Sequence, residues 1–195
     1  MNLNLMLAAA ALSLPTLGYG WRPTIPDDLP ETWAAIEVQI IVDLTGKAVS
    51  CIRSATYGDP KLAARLCKIL GDGGYKPAMG SDGKAEWGVI RTVLAMGTDR
   101  FSLSKFVTKP DFEVIVGTLP KSGKKPVDLE IIVQVQPEGK VTACRPEEAK
   151  KKTADLAARA CTAAAGWIVP SPKAGQIGSY VTNLKVRFLS PDAVD

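Results

Sequence analysis

The feature that most constrains the fold is a stretch written twice. Leu62-Ala63-Ala64-Arg65-Leu66-Cys67 returns as Leu156-Ala157-Ala158-Arg159-Ala160-Cys161. Upstream of each copy lies a second cysteine, Cys51 or Cys144. Upstream of that lies a Gly-Lys pair, Gly46-Lys47 or Gly139-Lys140. Five identical residues out of six, with Leu66 against Ala160, carry little information alone in an Ala-rich chain. Turn, cysteine and helix recurring in one order, at an offset of about 93 residues, read as two copies of one folding unit.

In the first unit Val38, Ile40 and Val42 share one face at period two, with Gln39 and Asp43 on the other. Leu44 to Lys47 is a hairpin connection whose glycine is free to take a positive φ. Ala48 to Arg53 returns as a second strand, with Val49 and Cys51 expected on one face. Asp59-Pro60 then starts a helix, Asp as N-cap and Pro at the first helical position. The spacing predicts a helix over Lys61 to Leu70. Leu62, Leu66, Ile69 and Leu70 form its apolar stripe, Cys67 sits at the stripe's edge, and Gly71, Gly73 and Gly74 end it. A third strand runs from Trp87 to Met96, with Ile90, Thr92 and Leu94 on one face and Val89, Arg91 and Val93 on the other.

The second unit repeats the plan. Ile131, Val133 and Val135 alternate, Pro137 to Lys140 reads as a type I turn with a following bulge, and Val141 to Cys144 returns. A helix is expected to begin at Pro146-Glu147-Glu148, acidic residues at its positive end, and to continue to Ala165. Tyr180 to Leu189 is the last strand, with Leu184, Val186 and Phe188 inward and Asn183, Lys185 and Arg187 outward. Between the units, Phe112 to Val116 is a short strand-like run that Leu119 to Gly123 breaks. The expected class is α+β. Each of two repeated units is a three-stranded antiparallel sheet with a helix on its one strongly apolar face, in the order strand-strand-helix-strand. The division is 1–20, 21–104 and 105–195, with the boundary near Lys105 to Pro110.

Residues 1–20 are a different kind of sequence. Leu5 to Leu12 is apolar but shorter than the roughly 20 residues that cross a bilayer. With Gly18 and Gly20 at −3 and −1 of a cleavage site, the segment reads as a signal peptide, although its n-region has no Lys or Arg. A retained membrane anchor is the alternative, against which Pro15, Asn2 and Asn4 argue. Pro23, Pro26 and Pro30 make the following lead-in extended but short. Export makes two disulfides the natural reading of four cysteines. Their long spacings, with no C-x-x-C pair, disfavour a zinc ribbon or a thioredoxin-type motif. Three pairings exist on paper. The repeat selects Cys51–Cys67 and Cys144–Cys161, each closing a loop worth about 3 kcal/mol in the chain-entropy model.

The formal net charge is +4. The lysines at 121, 124 and 125 and at 150, 151 and 152 are not interleaved with aromatics, so they read as solvated surface and not as a nucleic-acid site. The chain has no histidine, which removes most catalytic triads and most zinc sites. The acidic pairs Asp27-Asp28 and Glu147-Glu148 read as solvated turn or helix-start residues, and paired cysteines are not free nucleophiles. No catalytic residue, metal or cofactor is expected.

Taken together, the residues resemble the C-terminal domain of TonB, the periplasmic energy transducer of Gram-negative bacteria. Val38 to Asp43, Gly46-Lys47, the helix from Leu62 to Leu70, Tyr75-Lys76-Pro77-Ala78 and the strand from Trp87 carry the resemblance in the first unit. In the second unit Val133 to Val135, Gly139-Lys140, Leu156 to Cys161 and the strand ending at Phe188 carry it. Aromatic-x-Pro after the helix is a recurrent mark of these domains, and the cysteine pair resembles a subgroup from some Alphaproteobacteria. The resemblance covers most of the mature chain. It departs from the family in having no long Pro-rich spacer, and in placing Leu29-Pro30 where a tyrosine-proline start is common.

What the resemblance implies is a periplasmic module that binds protein and no nucleic acid. Its sheet edge would accept an extended segment, such as one from an outer-membrane transporter, by strand addition. The third strands are the implied edges. Asn183, Lys185 and Arg187 look like the polar guard of a protected edge, whereas Val89 and Val93, flanking Arg91, invite an added strand. The alternative is that the two third strands pair with each other or are covered by the other unit, which would leave neither edge exposed. An anchored transducer that keeps its N-terminal segment is the alternative function, and an enzyme the remote one. The partner's identity and the oligomeric state are not encoded in any feature of the sequence.

Overall fold

The computed structural model describes residues 11–18, 33–97, 109–119, 125–148, 153–172 and 177–191. Residues 1–10, the proline-rich lead-in, the Lys105 boundary, Lys121, Lys124 and Lys150 to Lys152 lie outside the described residues. The chain is α+β. In order, the elements are β1 (Thr16–Leu17), β2 (Trp33–Val42), β3 (Ala48–Gly58), α1 (Pro60–Gly71), β4 (Tyr75–Lys76), β5 (Ala78–Met79) and β6 (Ala85–Gly97), then β7 (Phe112–Ile115), β8 (Val127–Val135), β9 (Val141–Pro146), α2 (Ala154–Ala164) and β10 (Tyr180–Leu189). One mixed sheet runs β3-β2-β6-β10-β8-β9, with β5 beside β6 and β7 beside β10. Its pairs are antiparallel except β6–β10 and β7–β10, which are parallel.

The two Gly-Lys pairs make equivalent turns. Gly46 has φ 85° and Gly139 φ 87°, a region that residues with a Cβ rarely adopt. Each glycine N–H donates back across its turn, to Asp43 O at 3.0 Å and to Gln136 O at 2.8 Å. Each glycine carbonyl then accepts from the segment after the helix: Tyr75 N–H donates to Gly46 O at 3.0 Å and Val169 N–H to Gly139 O at 2.9 Å. A side chain at either glycine would collide with the backbone of Tyr75 or Val169. Past each turn the ladder shifts by one residue. Ile41 faces Ser50 while Val42 faces Ala48, and Gln134 faces Ala143 while Val135 faces Val141. Val49 is thus the extra residue of a β-bulge and is 48% exposed.

Helix α1 starts where expected. The Asp59 carboxylate accepts from the Lys61 and Leu62 N–H groups at 2.7 and 3.1 Å, and Pro60 follows it. Helix α2 does not begin at Pro146. That residue ends β9, and Glu147 N–H donates to Glu130 O at 3.1 Å, prolonging the sheet ladder through residues read as a helix start. Both expected disulfides are present, Cys51–Cys67 with Cα atoms 5.8 Å apart and Cys144–Cys161 with 5.5 Å. They fit an oxidising, extracytoplasmic compartment. No helix among the described residues is long and apolar enough to cross a membrane.

The helices lie on opposite faces of the sheet. Ile90 and Leu94 of β6 pack into the α1 core with Ile36, Val38, Ile40, Leu62, Leu66 and Leu70. Val89, the neighbour of Ile90, packs into the α2 core with Ile131, Val133, Leu184 and Phe188, and adjacent strand residues point to opposite faces. Ile41, placed on the polar face by alternation, is fully buried in that same α2 core. The strands of this sheet therefore have two apolar faces, not one. On the face opposite α2, Ile132, Ala143 and Val181 are covered by Leu12 of the N-terminal segment together with Ala78.

Candidate functional site

The sheet forks where β6 meets β10. The strands run side by side only from Trp87 to Val89 and from Tyr180 to Thr182. At the last of these pairs the Thr182 hydroxyl donates to Val89 O at 2.8 Å. One residue on, the Asn183 side chain substitutes for a strand. Arg91 N–H donates to Asn183 Oδ1 at 3.0 Å, and Asn183 Nδ2 donates to Arg91 O at 2.9 Å. A primary amide presents one acceptor and one donor in the spacing of a peptide group, so it terminates the ladder with both backbone groups satisfied.

Beyond the fork β10 changes partner. Asp111 N–H donates to Lys185 O and Lys185 N–H to the Asp111 carboxylate, both at 2.8 Å. Arg91 Nη1 meets the other oxygen of that carboxylate at 2.6 Å. β7 then pairs with Val186 to Leu189. The gap between the diverging strands is a cleft of about 420 Å³. Glu37, Asp111 and Glu130 line it together with Arg91, Lys109 and Lys185, three acids and three cations. A smaller recess of about 80 Å³ continues it toward Val169, Pro170 and Tyr180. Burial pushes the Tyr180 phenol up to about 12, so it stays neutral; its hydroxyl lies 3.5 Å from Pro170 O.

The expected edge residues divide. Val89 is 1% exposed and paired on both sides, with Ile41 and Thr182, so it is not at an edge. Lys185 and Arg187 do not guard an edge either, because β7 and β8 flank β10 there. Their charges are held by Asp128 of β8. Arg187 donates through Nε and Nη2 at 2.8 and 3.0 Å, and Lys185 Nζ lies 3.2 Å away. The Arg187 hydrogen bonds, then Lys185, hold the Asp128 carboxyl below its usual range. Arg91 lines the cleft and Val93 lies just past the fork on the half-buried part of β6. Among the described residues, no strand pairs with β6 on that side beyond Val89. The N–H and C=O of Arg91 point that way, and strand groups alternate, so those of Val93 and Ala95 do too.

Asp111, Asp128 and Asn183 had no signal as site residues in the sequence. Asp111 directly precedes the Phe112 strand run. Asn183 sits on a face that alternation assigns to solvent, and no periodicity reveals an amide bonded to a neighbouring backbone. No family model matches the chain, and neither a curated protein nor a solved structure matches it.

Proposed function

We propose that this chain is a periplasmic protein-binding module built from two tandem strand-strand-helix-strand units that resemble the TonB C-terminal domain. It takes an extended segment of a partner by strand addition along β6 from Val93 to Gly97, an arrangement suited to a role in outer-membrane transport. The observation that carries this reading is the flank of β6 beyond Val89, which no strand among the described residues pairs. The strand continues to Gly97, past its last pairing with β10, with Val93 and Ala95 directing N–H and C=O groups outward. Backbone pairing supplies affinity without demanding one sequence, and the charged cleft at the fork supplies selection for the segment's end. The two disulfides support an oxidising compartment.

The test is a photo-activatable side chain at Ala95 in the full chain, exposed to periplasmic extract. A cross-linked protein is expected. Val93→Pro, which removes an outward N–H, should lower its yield about tenfold, the equivalent of about 1.4 kcal/mol. Cross-links formed only from Arg53, on the outer strand β3, would overturn the assignment to β6.

A further inference from the structure

We propose that the sheet face opposite α2 is a second peptide site. It takes an extended segment with a bulky aliphatic residue followed three positions later by proline, and residues 12–15 of this chain hold it until they are removed. The proposal is independent of the β6 edge, which lies elsewhere on the sheet.

The described residues 11–18 show how such a segment is held. Ser13 N–H donates to Met79 O and Met79 N–H to Ser13 O, each at 3.0 Å. Thr16 and Leu17 pair antiparallel with Lys76 and Tyr75, and Gly18 N–H donates to Gly74 O at 2.8 Å. The Arg145 guanidinium donates to the Leu12 carbonyl. All these bonds use backbone atoms of the segment, so they fix direction and register but not sequence. Selection comes from two seats. Leu12, 1% exposed, fills a hollow made by Ala78, Ile132, Ala143 and Val181. Pro15 is buried against Gly88, where any Cβ would occupy the space of its ring. Proline suits the place for a second reason: it comes with an extended backbone already set.

These are the residues that the sequence assigns to an export signal. The apolar run that suits a signal peptide also suits this hollow, so the two uses compete for one segment. Processing after Gly20 would vacate a built acceptor: apolar floor, strand edge at 74–79 and Arg145 at its end. An exposed floor of this kind favours replacement of the lost segment by another of the same chemistry.

The experiment uses the full chain with a protease site inserted after Gly20. The folded protein is cut, its released leader exchanged away, and a labelled peptide Ala-Leu-Ser-Leu-Pro-Thr-Leu-Gly titrated by anisotropy. The cut chain should bind it saturably and the uncut chain should not. Leu12→Asp in the peptide should weaken binding about 100-fold, because a carboxylate would enter the apolar hollow. Pro15→Ala should weaken it several-fold and Ser13→Thr should leave it unchanged. Val93→Pro in the protein should not alter peptide binding, which separates this site from the β6 edge. A cut chain that keeps its circular dichroism but binds no peptide, or binds the Leu12→Asp peptide equally, overturns the proposal. So does a cut chain that unfolds, because the segment would then be part of the core and not a ligand.

Discussion

The β3-β2-β6 half with α1 and the β10-β8-β9 half with α2 each carry a positive-φ glycine turn, a ladder shift after it and one disulfide, yet they fill their cores differently. Aligned on their cysteines, the stripe of α1 reads Leu62, Leu66, Leu70 and that of α2 reads Leu156, Ala160, Ala164. All six are buried. The second half makes up the missing volume from elsewhere in the chain. Val116 and Leu119 are buried beside α2, and Phe112 packs on Trp167 with ring centroids 5.0 Å apart. Two alanines thus leave room for the segment that follows β6 and flanks β10. The difference teaches that a helix stripe is sized to whatever else enters its layer, so repeated secondary structure does not mean interchangeable packing.

The largest expected effect tests that statement. Leu66→Ala should cost about 2–5 kcal/mol, since Leu66 is buried in the α1 core among Ile36, Val38, Leu62 and Leu70. The reciprocal change, Ala160→Leu, should also destabilise, by about 1–3 kcal/mol, by forcing extra volume against the α2 layer. Denaturant unfolding of the two variants checks both. If Ala160→Leu were neutral or stabilising, the two cores would be equivalent after all, and Phe112, Val116 and Leu119 would not be filling the volume that α2 leaves.

Much of each half was legible in the sequence, because the signals were local. Asp59-Pro60, Gly46, Gly139 and the cysteine spacing act through bonds within a turn or two. What was not legible depends on partners distant in sequence. Ile41 and Ile132 look misplaced under strict alternation, but Ile40-Ile41-Val42 and Ile131-Ile132-Val133 are unbroken apolar triples, the pattern of strands covered on both faces. The site was less legible than the fold. Period two placed Lys185 and Arg187 on one face correctly, but it could not say that β7 would occupy the flank of β10 or that Asp128 would hold both charges.

The helix starts give the intermediate effect. Asp59 accepts two N–H groups of α1, whereas Thr153, its counterpart, makes no side-chain capping bond to α2. Asp59→Ala should therefore cost about 1 kcal/mol through lost capping, a contribution that Thr153→Ala does not remove from α2. Thermal melts of the two variants decide it. Equal losses would mean that capping does not distinguish the halves.

The smallest effect concerns one aligned pair. In the first half the Ser54 hydroxyl lies 3.3 Å from Glu37 O and 3.4 Å from the Glu37 carboxylate, as a donor to both. The same two positions in the second half carry Glu147 and Glu130, acid beside acid. Lost hydration, then the Glu130 charge, push the Glu147 carboxyl above its usual range. An acid whose folded pKa is raised binds its proton more tightly in the folded state. Its unfavourable contribution is therefore absent below the unfolded value, near pH 4.3, and grows as pH rises through the folded value. Glu147→Ser, which installs the first half's arrangement, should raise stability at pH 7. Because the side chain is exposed, the gain should be only about 0.5 kcal/mol. The gain should fade as the pH is lowered through 4 toward 3, where the parent carboxylate is protonated in both states. Melting the parent and the variant across that range checks the sign. A gain that persists undiminished at pH 3 would assign the effect to the serine hydrogen bond alone, and one that is absent at pH 7 would show that water between Glu130 and Glu147 already screens them.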